Sequence, residues 1–191
     1  GAYTVHAAIT DHRIKALVSI TGVNYGRLIR EGFAQFKPRE LARNIANMRT
    51  AQAQGAARDV ANLLPESGDA ARKAGITDID VLEATDYYKS PRGQKPNGAT
   101  SQLMSFSGAA MGWDAFTNAE VLLTQPLMIV IGDKPGGFGA YRDGWEIYSR
   151  AASENKHIVV AEGWSHYDLY DKPKPVALAM AKVVPFFKDN L

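Results

Sequence analysis

The sequence predicts an α/β fold with a parallel sheet flanked by helices, and three observations predict it. Three short apolar runs read as strands buried on both faces: IKALVSIT at 14–21, PLMIVIG at 126–132 and HIVVA at 157–161. A helical stretch, 141–154, separates the second run from the third. An amphipathic helix at 176–188 closes the chain, and strand, helix, strand, loop, helix is the order of a parallel sheet with crossovers.

Element by element, GAYTVHAAITDHR at 1–13 is rich in small residues suited to a tightly packed helix and leads into the first strand, half of an αβ repeat. From residue 24 to about residue 120 the pattern turns helical. FKPRELARNIANMRTAQAQGAARDVANLL and the stretch 77–88 read as helices, with turns at 65–68 and 91–98. Three parts follow: 1–23 as helix and strand, 24–120 as a helical insertion that is either an ordinary subdomain or a substrate-covering lid, and 121–191 as the C-terminal α/β portion. Three strands are few for an open sheet, where about 5 to 6 are usual, so the sheet reads as incomplete.

Composition narrows the class. The 191 residues are 46% hydrophobic and 22% charged, which suits a globular domain with one sizeable core. The net charge of +2 is spread without a basic block, so neither nucleic acid nor a membrane surface is an expected partner. No apolar run reaches the roughly 18 residues of a membrane span, and no secretory signal pattern opens the chain. The absence of cysteine excludes disulfides, thiolate metal sites and a cysteine nucleophile within these residues, and points to a reducing, cytoplasmic location.

Ligands of parallel sheets sit beyond the carboxyl ends of the strands, and two acid or base candidates fall there. His166, in EGWSH after the last strand, is the candidate general base. Asp133, directly after PLMIVIG, is the first choice for the carboxylate that fixes its tautomer; Asp143 is the alternative and Glu146 a distant third. Acid followed by histidine is the chain order of an α/β-hydrolase triad, in which the nucleophile precedes both. No complete G-x-S-x-G elbow is present: Gly163-Trp164-Ser165-His166-Tyr167 lacks the second glycine and lies on the histidine loop, which makes Ser165 a poor nucleophile. His6, His12 and His157 read as structural, and no metal-ligand spacing stands out. Gly136, Gly137 and Gly139 lack the spacing of a phosphate-binding loop. Tyr25, Phe33, Trp113, Phe116 and Trp164 either line an apolar pocket or belong to the core.

GAYTVHAAITDHRIKALVSITGVNYGRLIREGF, PLMIVIGDKPGGFGAYRDGWEIY and EGWSHYDLYDKP together resemble bacterial α/β-hydrolases similar to YcjY and dienelactone hydrolase, from the end of the nucleophile elbow onward. The resemblance implies hydrolysis of an ester, thioester or related acyl bond through an acyl-enzyme, with no cofactor. It places the serine or cysteine nucleophile about three residues before Gly1, and implies an N-terminal portion of about 100 residues. That portion is the expected partner, on the same chain or separated by cleavage at the elbow, beside a small acyl substrate; a homo-oligomer is also compatible. A noncatalytic binding or assembly protein on a hydrolase scaffold is the competing expectation.

Overall fold

The computed structural model describes residues 1–31, 36–98 and 100–191. In chain order these form α1 (Ala2–Thr10), β1 (Leu17–Ile20), α2 (Tyr25–Glu31), α3 (Pro38–Ala53) and β2 (Val60–Asn62). Next come α4 (Gly68–Lys73), α5 (Ile79–Tyr88), β3 (Ser101–Leu103), α6 (Ser107–Gly112) and α7 (Ala119–Leu122). The chain finishes with β4 (Leu127–Lys134), α8 (Ala140–Arg150), β5 (Lys156–Ser165), α9 (Asp168–Asp171) and α10 (Pro173–Asn190). They fall into two compact units, one made of Gly1–Asn24 with Asp114–Leu191, the other of Tyr25–Trp113. Among the described residues no helix is long and apolar enough to cross a membrane.

The first unit is built on a parallel sheet in the order β1-β4-β5. β4 is central, and its residues Leu127 to Gly132 are all buried, which is why PLMIVIG carries no polar alternation. Its two faces serve different helices. Met128 and Val130 join Ala179, Val183 and Phe186 of α10 in one core layer. Ile129 and Ile131 point the other way, toward α8, where Gly144 permits close approach: a Cβ there would lie 2.6 Å from Ile131 Cγ2. Ser19 pairs with Ile129, so it shares that face, and α1 packs there at its N-terminal end, where a Cβ on Gly1 would meet Ser19 Oγ at 2.8 Å.

Two strands run further than their apolar runs predict. β4 continues through Asp133 and Lys134, so Asp133 lies within the strand rather than after it. β5 extends from 157–161 to Lys156–Ser165, and the segment expected as loop splits into strand end and α9. The extension is irregular: Gly132 pairs with Ala161 but Lys134 with Ser165, so β5 carries two extra residues over that interval. Gly163, at φ +76°, makes the bulge, a backbone conformation that other residues adopt only at a cost. α10 begins at Pro173, earlier than expected, because prolines in a first turn lack only an N–H that would be unbonded anyway.

The second unit is helical, as its sequence predicts, with one addition. α3 ends where Gly55 takes φ +98° and Ala56 N–H reaches back to Ala51 O. Ser67 caps α4 and Asp78 caps α5 through their side-chain oxygens. Beyond α3, Val60–Asn62 pairs antiparallel with Ser101–Leu103, a ladder the sequence reading did not include. Its three-residue strands, whose paired residues are 39 or more positions apart along the chain, carry no period-two signal.

Candidate active site

His166 follows the last residue of β5 and is only 6% exposed. A reciprocal pair of hydrogen bonds fixes its turn: Ser165 N–H donates to Asp168 Oδ2 (3.0 Å), and Asp168 N–H donates to Ser165 Oγ (3.1 Å). The two bonds follow the reciprocal pattern of a capping box, Ser-x-x-Asp, closed around His166 and Tyr167 between the end of β5 and α9. Burial acts to raise the Asp168 carboxyl pKa, but the Lys172 ammonium at 2.5 Å and the Ser165 N–H outweigh it and hold the group below its ordinary value.

The imidazole sits among aromatic rings. Tyr167 stacks on it, centroids 4.8 Å apart and planes 28° from parallel, and Phe138 meets it edge-on at 6.0 Å. Nε2 lies 3.1 Å from the Tyr170 hydroxyl. Nδ1 is buried and meets no hydrogen-bond partner among the described residues. Burial pushes the ring pKa down from 6.5 to about 4, so the imidazole is neutral at pH 7 and able to accept a proton.

The candidate acids occupy different surroundings. Asp133 is exposed, and its Oδ1 accepts the Gly163 N–H at 2.7 Å, which ties the β5 bulge to β4. Asp143, in the first turns of α8, is fully buried; its Oδ2 accepts the Asn24 N–H at 2.7 Å, and Arg142 Nε lies 3.9 Å from Oδ1. Asn24 also donates from Nδ2 to Asp114 Oδ1 at 2.7 Å, joining the chain where it leaves the first unit to where it returns. Glu146 is ion-paired with Arg150 at 2.9 Å.

The remaining sequence-derived candidates are dispersed. Trp164 packs against the α10-side core of the first unit. Phe116 is a buried core residue of the same unit. In the second unit the Tyr25 hydroxyl donates to Gln102 Oε1 at 2.6 Å, and the Trp113 carbonyl accepts from Arg30 Nη1 at 2.7 Å. Phe33 lies outside the described residues. His12 Nε2 lies 3.1 Å from the Leu122 carbonyl oxygen, and His157 Nε2 lies 2.9 Å from Asn155 Oδ1. Among the described residues no three His, Cys, Asp or Glu side chains converge as a metal site.

Ser165, Asp168, Tyr170 and Phe138 shape the surroundings of His166 and were not among the sequence-derived site residues. The Ser165-x-x-Asp168 spacing carried a readable signal, that of a capping box, and Tyr170 stands one helical turn beyond the histidine.

A parallel sheet with a buried histidine after its edge strand invites comparison with known proteins. The crystal structure of PA2218 from Pseudomonas aeruginosa superposes with a TM-score of 0.80 at 21% identity, over 98% of this chain and 57% of that one. The α/β-hydrolase GrgF from Penicillium sp. sh18 superposes at 0.72 with 14% identity, over the whole chain and 61% of GrgF. The fold is that of the α/β-hydrolases. In sequence the chain is 32% identical to the uncharacterized protein YcjY of Escherichia coli K12 over 193 aligned residues, 99% of this chain and 60% of YcjY. The chain therefore spans about three fifths of the length of that relative. No family model matches it.

Proposed function

We propose that these residues form the acid-and-histidine portion of an enzyme that hydrolyses an ester, thioester or related acyl bond, with His166 as general base. The observation that carries the reading is the buried, neutral imidazole held by the Ser165–Asp168 box at the carboxyl end of β5, in a fold shared with a hydrolase. In this reading a serine or cysteine on a preceding segment, continuous or cleaved from this one, gives its proton to His166 as it attacks the acyl carbon. His166 then returns the proton to the leaving group, and water hydrolyses the acyl-enzyme by the same route. The rest of the polypeptide is thus the first partner of this chain.

Burial favours Asp143 over Asp133 as the carboxylate that completes the site. A triad acid works from low-dielectric surroundings, where its charge steadies the imidazolium most. Each carboxylate accepts a backbone N–H, but Asp143 is wholly buried whereas Asp133 is exposed. The Tyr25–Trp113 unit is, in this reading, a substrate-covering lid.

The test uses the protein that carries these residues, assayed on a p-nitrophenyl ester and an acyl thioester, beside His166→Ala. Hydrolysis lost by about a thousandfold or more in the variant supports the reading. Hydrolysis that survives the substitution removes His166 from the mechanism. No turnover of either substrate class by the native protein favours a noncatalytic binding or assembly role on the same scaffold.

A further inference from the structure

The two nitrogens of His166 have unequal surroundings. Nε2 has the Tyr170 hydroxyl at 3.1 Å, while Nδ1 is buried without a partner among the described residues. The Tyr170 contact can be made in two senses. Either the phenol donates to a bare Nε2 and the ring proton sits on Nδ1, or Nε2–H donates to the phenol oxygen and Nδ1 is bare. A phenol is a good donor and a neutral imidazole nitrogen a better acceptor than a phenol oxygen, so the first sense gives the stronger bond.

We propose that Tyr170 is a positioning residue that donates its hydroxyl hydrogen to Nε2 of His166 and so presets the Nδ1–H tautomer, the form able to engage a carboxylate. The proposal rests on His166 being the general base. In that tautomer Nδ1–H is buried and meets no acceptor among the described residues, so a carboxylate is needed at that end of the ring.

The same contact places the Tyr170 oxygen at the nitrogen to which a nucleophile must deliver its proton. Tyr170 therefore yields that position when the nucleophile engages. Its ring packs on Tyr167, centroids 4.7 Å apart, but is 40% exposed, whereas the His166 ring is stacked on Tyr167 and buried. The adjustment falls on the phenol, and the imidazole keeps its orientation.

The tautomer is read from the ¹⁵N resonances of the His166 ring in the native protein near pH 7, assigned by their loss in His166→Gln. The expected result is a protonated Nδ1 and an unprotonated, hydrogen-bonded Nε2, whose resonance moves downfield toward the unbonded value in Tyr170→Phe. A native protein with the proton on Nε2 overturns the proposal, as does an Nε2 resonance that Tyr170→Phe leaves unmoved. The first measurement needs no Tyr170 variant, so a misfolded substitution cannot hide the answer. The expected tautomer in a protein that turns over no acyl substrate overturns the hydrolase reading alone. The opposite tautomer in a working hydrolase overturns the Tyr170 proposal alone.

Discussion

Ser165 and Asp168 each bind the other's backbone N–H, so that the turn carrying His166 is closed by two hydrogen bonds, 3.0 and 3.1 Å long. The oxygens in those bonds come from side chains, so the turn can be loosened without altering the histidine. Ser165→Ala is expected to cost about 1 kcal/mol, the usual loss for a capping residue, with a fall in Tm and a lower kcat in the acyl assay. An unchanged Tm would mean that the box contributes nothing to the turn.

Asp168 adds a pH dependence to the same feature. Its carboxyl is held below the ordinary carboxylate pKa, so the stability it supplies is present above that ordinary value and is lost as pH falls through the depressed one. Urea denaturation of native protein and Asp168→Asn is expected to show a stability gap at pH 7 that narrows in acid. A gap of constant size would contradict the shift.

His166 acts in the same direction at higher pH. Its folded pKa of about 4 lies below the ordinary 6.5, so the unfolded chain takes up the proton first as the solution is acidified. The native protein should lose about 3 kcal/mol between pH 7 and the region below pH 4, with the onset near pH 6.5. His166→Gln, which titrates in neither state, is expected to lack that component in the same urea series.

The two acids separate by activity and stability together. Asp143→Asn is expected to lower kcat by about a thousandfold with the ester substrate, as loss of a triad acid does. Asp133→Asn keeps an oxygen for Gly163 N–H and should leave kcat within about twofold, while Asp133→Ala should lower stability by about 0.5–1.5 kcal/mol. A large loss of kcat in Asp133→Asn, with Asp143→Asn unaffected, would reverse the assignment.

Gly132 is confined by backbone rather than by side chains. A Cβ there would lie 2.2 Å from the Trp164 carbonyl oxygen, so Gly132→Ala must push β4 and β5 apart at the bulge. The expected cost is at least about 1–3 kcal/mol, read as a fall in Tm, with disturbance at His166 two residues beyond Trp164. Gly163→Ala meets no atom within 4 Å and should cost only about 1–2 kcal/mol, from its left-handed backbone.

The parallel strands and their helices were legible because Met128, Val130, Ile129 and Ile131 are buried on both faces, and such strands are written as unbroken apolar runs. The position of His166 just beyond the last strand was legible from HIVVAEG. The strand ends were not: Glu162 to Ser165 pair irregularly, and the polar residues of a bulge look like those of a loop. Asp133 illustrates the same limit, since a residue next to an apolar run can hold a backbone N–H as readily as it can face a ligand. The bond between Tyr170 and His166 depends on α9 beginning at Asp168, a helix too short for any periodic pattern to announce.

The Asn24–Asp114 hydrogen bond has a consequence for how such proteins diversify. It pins together the two points between which Tyr25–Trp113 is strung, so the sheet is indifferent to how long that intervening segment is. Loop-closure entropy rises by only about 0.6 kcal/mol for each doubling of length. Insertions, deletions and wholesale exchange of the segment are therefore thermodynamically cheap, and selection can trade one for another while β5, which leads into His166, and α8, which carries Asp143, stay in place.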